Sequence, residues 1–205
     1  MIIDLHCHEK SFSSCSTMSL DDIIDASIYY GLDGICITDH DSMKLQENCK
    51  EILLRKPFPV FFGAEVSTSH GHIIAFGIEM PKNAHSMQTQ DFVTYAKDSG
   101  GFSFVAHPFR GSGCGYFTET LVGLDGIEVY NGRCSEEMNK KAVELCDKLK
   151  LQRVAGSDAH EVDNIGVFAV KFDKKISNCK QLVDELKLGN IKTVKRIAKC
   201  LYEEI

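Results

Sequence analysis

Eight short apolar runs are spaced through this chain, and nearly every one ends at, or beside, a histidine, an aspartate or a glutamate. The runs are Ile2–Leu5, Gly34–Thr38, Pro59–Glu65, His72–Gly77, Phe102–Ala106, Gly126–Tyr130, Arg153–Gly156 and Gly166–Phe172. Continuous apolar stretches of this length suit strands buried on both faces. Between them lie helical patterns. "SLDDIIDASIYYG" opens with a capping box, Ser19 and Asp22, and closes at Gly31. Ser135–Lys150 and Ser177–Leu188 carry helical spacing, and Gln88–Ser99 carries a weaker form of it. With no long linker, repeat or low-complexity tract, the alternation predicts a single α/β domain over residues 1–205 with parallel strands.

Charge and cysteine usage narrow the function classes. With 23 basic and 29 acidic residues, the net charge of -6 argues against a large nucleic-acid footprint. It leaves room for a small phosphorylated substrate, since metal ions supply local positive charge. No apolar stretch approaches a membrane span, and Met1 runs straight into a strand pattern, so the expectation is a cytoplasmic protein. The nine cysteines are scattered without a CxxC pair, which argues against a disulfide framework, a zinc ribbon or an iron–sulfur cluster.

The polar residues follow the strands. His6 and His8 stand two apart, so on a strand their imidazoles share one side and Cys7 faces away. The second run leads into Asp39, His40 and Asp41; the third closes on Glu65, and His72 opens the fourth. The fifth gives His107, the sixth Glu128 and Asn131, and the seventh Asp158 and His160. In a barrel of parallel strands the C-terminal ends converge on one mouth, where these residues would meet. Six histidines, Glu65 and Asp158 suffice for two or three divalent ions, with a carboxylate such as Glu65 bridging a pair. Nitrogen and oxygen donors without thiolate suit manganese, iron or zinc. Such clusters activate a bridging water and clamp a transferred phosphoryl group. His70 and His85 lie in polar loop sequence and are read as surface residues. The glycine-rich "GSGCG" at 111–115 lacks phosphate-loop spacing and is read as a mobile loop. Lys192–Lys199 is read as a solvated face.

Taken in order, "DLHCH", "TDHD", "GAEVS", "GHIIAFG", "AHPFR", "GIEVYN" and "GSDAH" resemble the PHP family, named for polymerase and histidinol phosphatase. The resemblance runs from about residue 3 to residue 172. It implies a distorted (β/α)7-type barrel, a metal site at the C-terminal mouth of the strands, and hydrolysis of phosphoester bonds. Carried over, His6, His8, Glu65 and Asp158 would hold a first ion. Glu65 would bridge to a second, completed by His72 and His107, and His40 and His160 would bind a third. The family's further ligand shortly after the opening pair, often an aspartate or a histidine, has no counterpart in "EKSFSSCS". Ser14 or Cys15 falls near that place, and a Cys15 thiolate would favour zinc there.

For the chemistry, Arg110 and, behind it, Arg133 are the phosphate-binding candidates, because a planar guanidinium suits phosphate. His160, Asp39 or water would protonate the leaving oxygen. Asp39 and Glu128 would orient metal-bound histidines from behind. The expected substrate is a small phosphate monoester or a short nucleotide phosphodiester, with Tyr116 or Phe117 placed to stack on a base. No membrane and no long nucleic acid are expected as partners. Two rival readings remain: a metal-binding regulatory module with weak or no catalysis, and an amidohydrolase-type C–N hydrolase. The second commonly bridges its metals with a modified lysine, where this chain has Glu65.

Overall fold

Each of the eight apolar runs is a strand in the computed structural model, which describes residues 1–111 and 115–205, with the side chains of 115 and 116 outside the description. The strands are β1 (Ile2–Cys7), β2 (Gly34–Ile37), β3 (Val60–Thr68), β4 (Gly71–Phe76), β5 (Phe102–Val105), β6 (Gly126–Asn131), β7 (Gln152–Gly156) and β8 (Phe168–Phe172), joined by β9 (Ile191–Ala198) and β10 (Leu201–Glu204). The helices are α1 (Leu20–Tyr29), α2 (Leu45–Asn48), α3 (Lys50–Arg55), α4 (Thr89–Asp98), α5 (Gly115–Thr118), α6 (Glu136–Leu149) and α7 (Cys179–Leu188). The "GSGCG" loop lies largely outside the described residues, as does the Tyr116 side chain.

All ten strands form one curled half-barrel sheet in the order β10-β9-β8-β1-β2-β3-β4-β5-β6-β7. The pairs β1–β2, β2–β3, β5–β6 and β6–β7 are parallel, as the alternation with helices predicts. The expectation of parallel strands throughout needs correction, because β4 runs antiparallel to both β3 and β5. A parallel crossover takes a dozen or more residues. The β3–β4 link is a tight turn closed by the pairing of Thr68 with Gly71, whose φ of 122° suits only glycine. At the other edge, β8, β9 and β10 add antiparallel strands. The segment read as a solvated basic face is β9: Lys192 and Lys195 are exposed, while Thr193 and Val194 are buried.

Alternate residues of the strands feed different cores. On β4, Ile74 and Phe76 join Phe102 and Phe104 of β5 against Leu182, Val183 and Leu186 of α7. Ile73 and Ala75 face the other way, under Phe92 and Val93 of α4 and Ala142 and Leu145 of α6. Ile23 and Ile24 of α1 pack on Ile35 and Ile37 of β2. The capping box read at Ser19 and Asp22 is formed, and the Ser135 and Asn178 side chains cap α6 and α7 by accepting from Met138 N and Gln181 N.

Two irregularities decide what faces the interior. In β1 the register steps from Asp4↔Ile35 to Cys7↔Ile37, so three residues of β1 span two of β2. Ile3 and Leu5 therefore belong to the core that contains Phe76 and Phe104, whereas Cys7 packs beneath α1. Such a bulge re-aims the side chains that follow it, here His6 and His8. In β6 a second step, from Glu128↔Val154 to Tyr130↔Ala155, sends Glu128 and Asn131 to one side.

The curl brings the segment after β7 back onto β1. Asp158 N donates to His6 O at 2.8 Å, His8 N donates to Ala159 O at 3.1 Å, and Cys7 and Ala159 form a parallel bridge. Asp4, fully buried, braces the junction: its Oδ1 accepts from His6 N (3.1 Å) and Ser157 N (2.9 Å), and its Oδ2 from Gly166 N (3.0 Å). Among the described residues no helix is long and apolar enough to cross a membrane, and the described cysteines are free thiols. Gly156 is required at this junction, since a Cβ there would lie 2.4 Å from His6 Cβ and 3.0 Å from His6 N. Gly156→Ala should therefore cost about 1–3 kcal/mol in urea unfolding. Leu54→Ala, at a side chain 85% exposed, should change stability by less than about 0.5 kcal/mol.

Candidate metal centre

Glu65 sits near the C-terminal end of β3, and its fully buried carboxylate meets five imidazoles. Oε1 lies 2.7 Å from His72 Nδ1 and 2.8 Å from His107 Nε2. Oε2 lies 3.2 Å from His8 Nε2, 3.2 Å from His40 Nδ1 and 3.4 Å from His6 Nε2. His72 reaches this group from the start of its strand because β4 runs backwards and sets it beside Ser67. His6 and His8 arrive through the β1 bulge, His40 through its bridge to Glu65, and His107 from the residues just after β5.

Asp158 stands across from Glu65, with Oδ1 3.5 Å from His6 Nε2 and 3.3 Å from His8 Nε2. Its Oδ2 is committed elsewhere, accepting from Arg110 Nη1 and from Asn131 Nδ2 at 3.1 Å. The buried Oε2 of Glu65 and Oδ1 of Asp158 have no hydrogen-bond donor. His6 and His8 cannot supply one while neutral, because their protons are placed elsewhere. His6 Nδ1 faces Glu128 Oε1 at 2.8 Å, and an ionised carboxylate only accepts, so Nδ1 carries the hydrogen. For His8 the chain is longer. The Ser13 hydroxyl donates to Asp39 Oδ1 at 2.8 Å, so Ser13 Oγ accepts from His8 Nδ1 at 3.3 Å. Both Nε2 atoms then present lone pairs, 3.0 Å apart, toward two bare carboxylate oxygens. Only a proton or a cation can hold such a group together. The donors are one carboxylate oxygen from each acid and one nitrogen from each imidazole, the set that suits a divalent ion.

The electrostatics agree. Burial opposes charge on His6, but the Asp158, Glu128 and Glu65 carboxylates outweigh it and hold His6 well above the usual histidine range. His8 is also raised, by Asp158 and Glu65 against its burial. Burial would push Glu65 up, yet His6 and the His107 bond bring it far below the ordinary carboxylate range; Asp158 is lowered likewise, by His6 and His8 against burial. Without a cation, the centre takes up protons instead. His40 and His160 behave differently: burial, reinforced at His160 by the neighbouring His8 charge, brings each down to about 4, so both are neutral lone-pair donors at neutral pH.

Around this centre, Glu128 Oε2 also accepts from His107 N at 2.8 Å and from Asn131 Nδ2 at 2.9 Å. Asp39 accepts from Glu9 N at 2.7 Å and reaches His8 only through Ser13. Burial pushes the Asp39 carboxyl up to about 6, against those two hydrogen bonds. Arg110 Nη1 also reaches Asn131 Oδ1 at 3.3 Å, and Arg133 Nη1 lies 3.0 and 3.2 Å from the two ring nitrogens of His160. His70 stands outside the group, stacked on Phe117 with centroids 3.8 Å apart, and His85 is exposed on the 3-10 turn Ala84–Ser86. Ser13 has no signal in the sequence, and Asp4 stands in the "DLHCH" motif with no role assigned to it there. One is a serine in a polar tract; the other reads as a charge within the first apolar run.

A model of a PHP-associated family matches residues 136–191. The uncharacterized protein MJ0417 of Methanocaldococcus jannaschii is 31% identical over 123 residues, 55% of this chain and 51% of that protein. The chain thus spans about half the length of that relative. A two-domain protein of Bacteroides vulgatus containing a predicted PHP-like metal-dependent phosphoesterase shares the fold with a TM-score of 0.70 and 19% identity, over 96% of this chain and 65% of that one. An amidohydrolase of Chromobacterium violaceum also shares it, with a TM-score of 0.66 and 18% identity over 95% of this chain and 98% of that one. The PHP-associated match over residues 136–191 and the fold shared with the PHP-like protein agree with the family resemblance of the strand-end motifs.

Proposed function

We propose that the chain is a metal-dependent phosphoesterase that hydrolyses a small phosphate monoester or a short nucleotide phosphodiester. One observation carries the reading: two bare carboxylate oxygens, Glu65 Oε2 and Asp158 Oδ1, face two imidazole nitrogens whose rings are held by hydrogen bonds at their other ends. His6, His8, Glu65 and Asp158 would hold one divalent ion, and Glu65, His72 and His107 a second. His40 and His160 remain as ligands for a third; manganese, iron and zinc all suit these donors. When bound, such ions supply a water activated for attack and positive charge for the phosphoryl oxygens.

The chain's own groups prepare the reaction. Glu128 fixes the ring of His6, and the Asp39–Ser13 pair fixes that of His8, as ligating histidines require. Arg110 is steered by Asp158 and Asn131 through Nη1, which sets a guanidinium suited to an anion beside the centre, and Arg133 lies against His160. His160, neutral at working pH, suits ligation better than proton donation. Asp39 is buried and its Oδ1 is bonded to Glu9 and Ser13, so its role here is to brace His8, and water is taken as the proton source for the leaving oxygen.

The amidohydrolase-type reading is favoured only by the fold shared with the Chromobacterium violaceum protein. Against it stand Glu65 at the bridging place and two guanidinium groups at the rim. The deciding experiment is phosphate release from a panel of small phosphoesters, run beside a panel of amides with manganese, iron(II) or zinc. Metal-dependent phosphate release should fall by about 10²–10³ in Asp158→Asn. Turnover of amides alone would overturn the proposal in favour of the rival, and folded, metal-loaded protein inactive on both panels would favour a binding module. Glu128→Gln should keep the fold but weaken metal binding by about 10–100-fold, measured by calorimetric titration. Because the ions must displace protons from His6 and His8, whose pKa values are raised, metal affinity should fall as the pH is lowered. The expected slope is about tenfold per pH unit for each proton displaced.

A further inference from the structure

We infer that Cys15 supplies a thiolate to a third ion, together with His40 and His160, and so makes one position of the centre selective for zinc. Possible ligand atoms of His8, Cys15, His40 and His160 all lie within 4.8 Å of one another. Cys15 is the only cysteine in any of the candidate clusters found among the described residues. Its Sγ is 3.1 Å from His160 Nε2. The His160 ring is held so that this nitrogen is free to ligate. Nδ1 lies 2.8 Å from the backbone carbonyl of Asp158, which can only accept, so Nδ1 carries the hydrogen and Nε2 the lone pair. Arg133 Nη1 lies 3.0 and 3.2 Å from the two ring nitrogens, and ligation at Nε2 displaces it. His8 turns its own Nε2 to Glu65 and Asp158, which leaves three protein ligands and an open fourth position.

A sulfur donor changes which ion is held. Manganese is served by the oxygens of Glu65 and Asp158, whereas thiolate with two imidazoles favours zinc. On binding, the metal replaces the thiol proton, which passes to solvent. The inference rests on the metal-centre reading given above but is independent of the substrate.

Cobalt(II) is the probe, because a cobalt–thiolate bond adds a near-ultraviolet charge-transfer band that nitrogen and oxygen ligands do not. Reduced, metal-free protein is titrated without oxygen, with bound metal counted by elemental analysis. The wild-type chain should develop the band. Cys15→Ser should lose both the band and one equivalent of metal, and Cys15→His should recover the equivalent without the band. Asp158→Asn should lose a different equivalent and keep the band. Wild-type protein that binds cobalt without the band, or Cys15→Ser that retains it, would overturn the inference and leave the rest of the centre standing. Failure of folded wild-type protein to bind any cobalt or zinc would overturn the metal reading itself, and this inference with it.

Discussion

A single buried carboxylate, Glu65, is in contact range of five imidazoles, and the fold is arranged around that contact. A carboxylate at zero exposure is costly unless it is paired and hydrogen-bonded. The histidines that approach it come from several local devices. The β1 bulge turns His6 and His8 inward, the β3–β4 turn brings His72 back along the sheet, and the end of β5 delivers His107. Asp158 adds a second buried acid across the gap, held by Arg110 and Asn131 on its other oxygen. Two acids and several neutral imidazoles in one space are an arrangement for a cation. A core built for stability alone would place apolar side chains there.

Much of this was legible from spacing. The eight strands, the four longer helices and the convergence of strand-end histidines follow from apolar runs and caps, which are local properties. What failed were features that depend on how strands pair. The six residues between the "PVFFGAE" and "HIIAFG" runs are too few for a parallel crossover, so the reversal of β4 was available to an argument from connection length. The strand β9 was hidden because only Thr193 and Val194 near its middle are buried, amid lysines and an arginine that look like a solvated surface.

The bulges lie beyond local reasoning altogether. The i, i+2 argument for His6 and His8 holds, but it does not say which face they share. Without the extra residue between Asp4 and Cys7, the alternation that puts Ile3 and Leu5 in the Phe76 core would put Cys7 there too and the histidines beneath α1. Glu128 and Asn131, three apart on a strand, would point to opposite faces were β6 regular. Ser13 is invisible for a related reason: its value lies in standing between His8 and Asp39, a relation of three loops.

The backbone at the centre carries a matching cost. Asp41, His107 and Asp158 adopt positive φ of 52°, 30° and 53°, a region L-residues visit at about 1–3 kcal/mol each. All three belong to, or adjoin, the candidate ligand set. Such conformations persist only where neighbours fix the chain, and for Asp158 the fixtures are explicit. Its own N–H is bonded to His6 O, and the preceding Ser157 N–H is bonded to the buried Asp4. Asp4 also receives His6 N–H, so one carboxylate braces both strands whose ligands must meet. Asp4 coordinates nothing, yet it keeps Asp158 strained and the two Nε2 atoms together. The aspartate of "DLHCH" is therefore as much a part of the centre as the histidines that follow it.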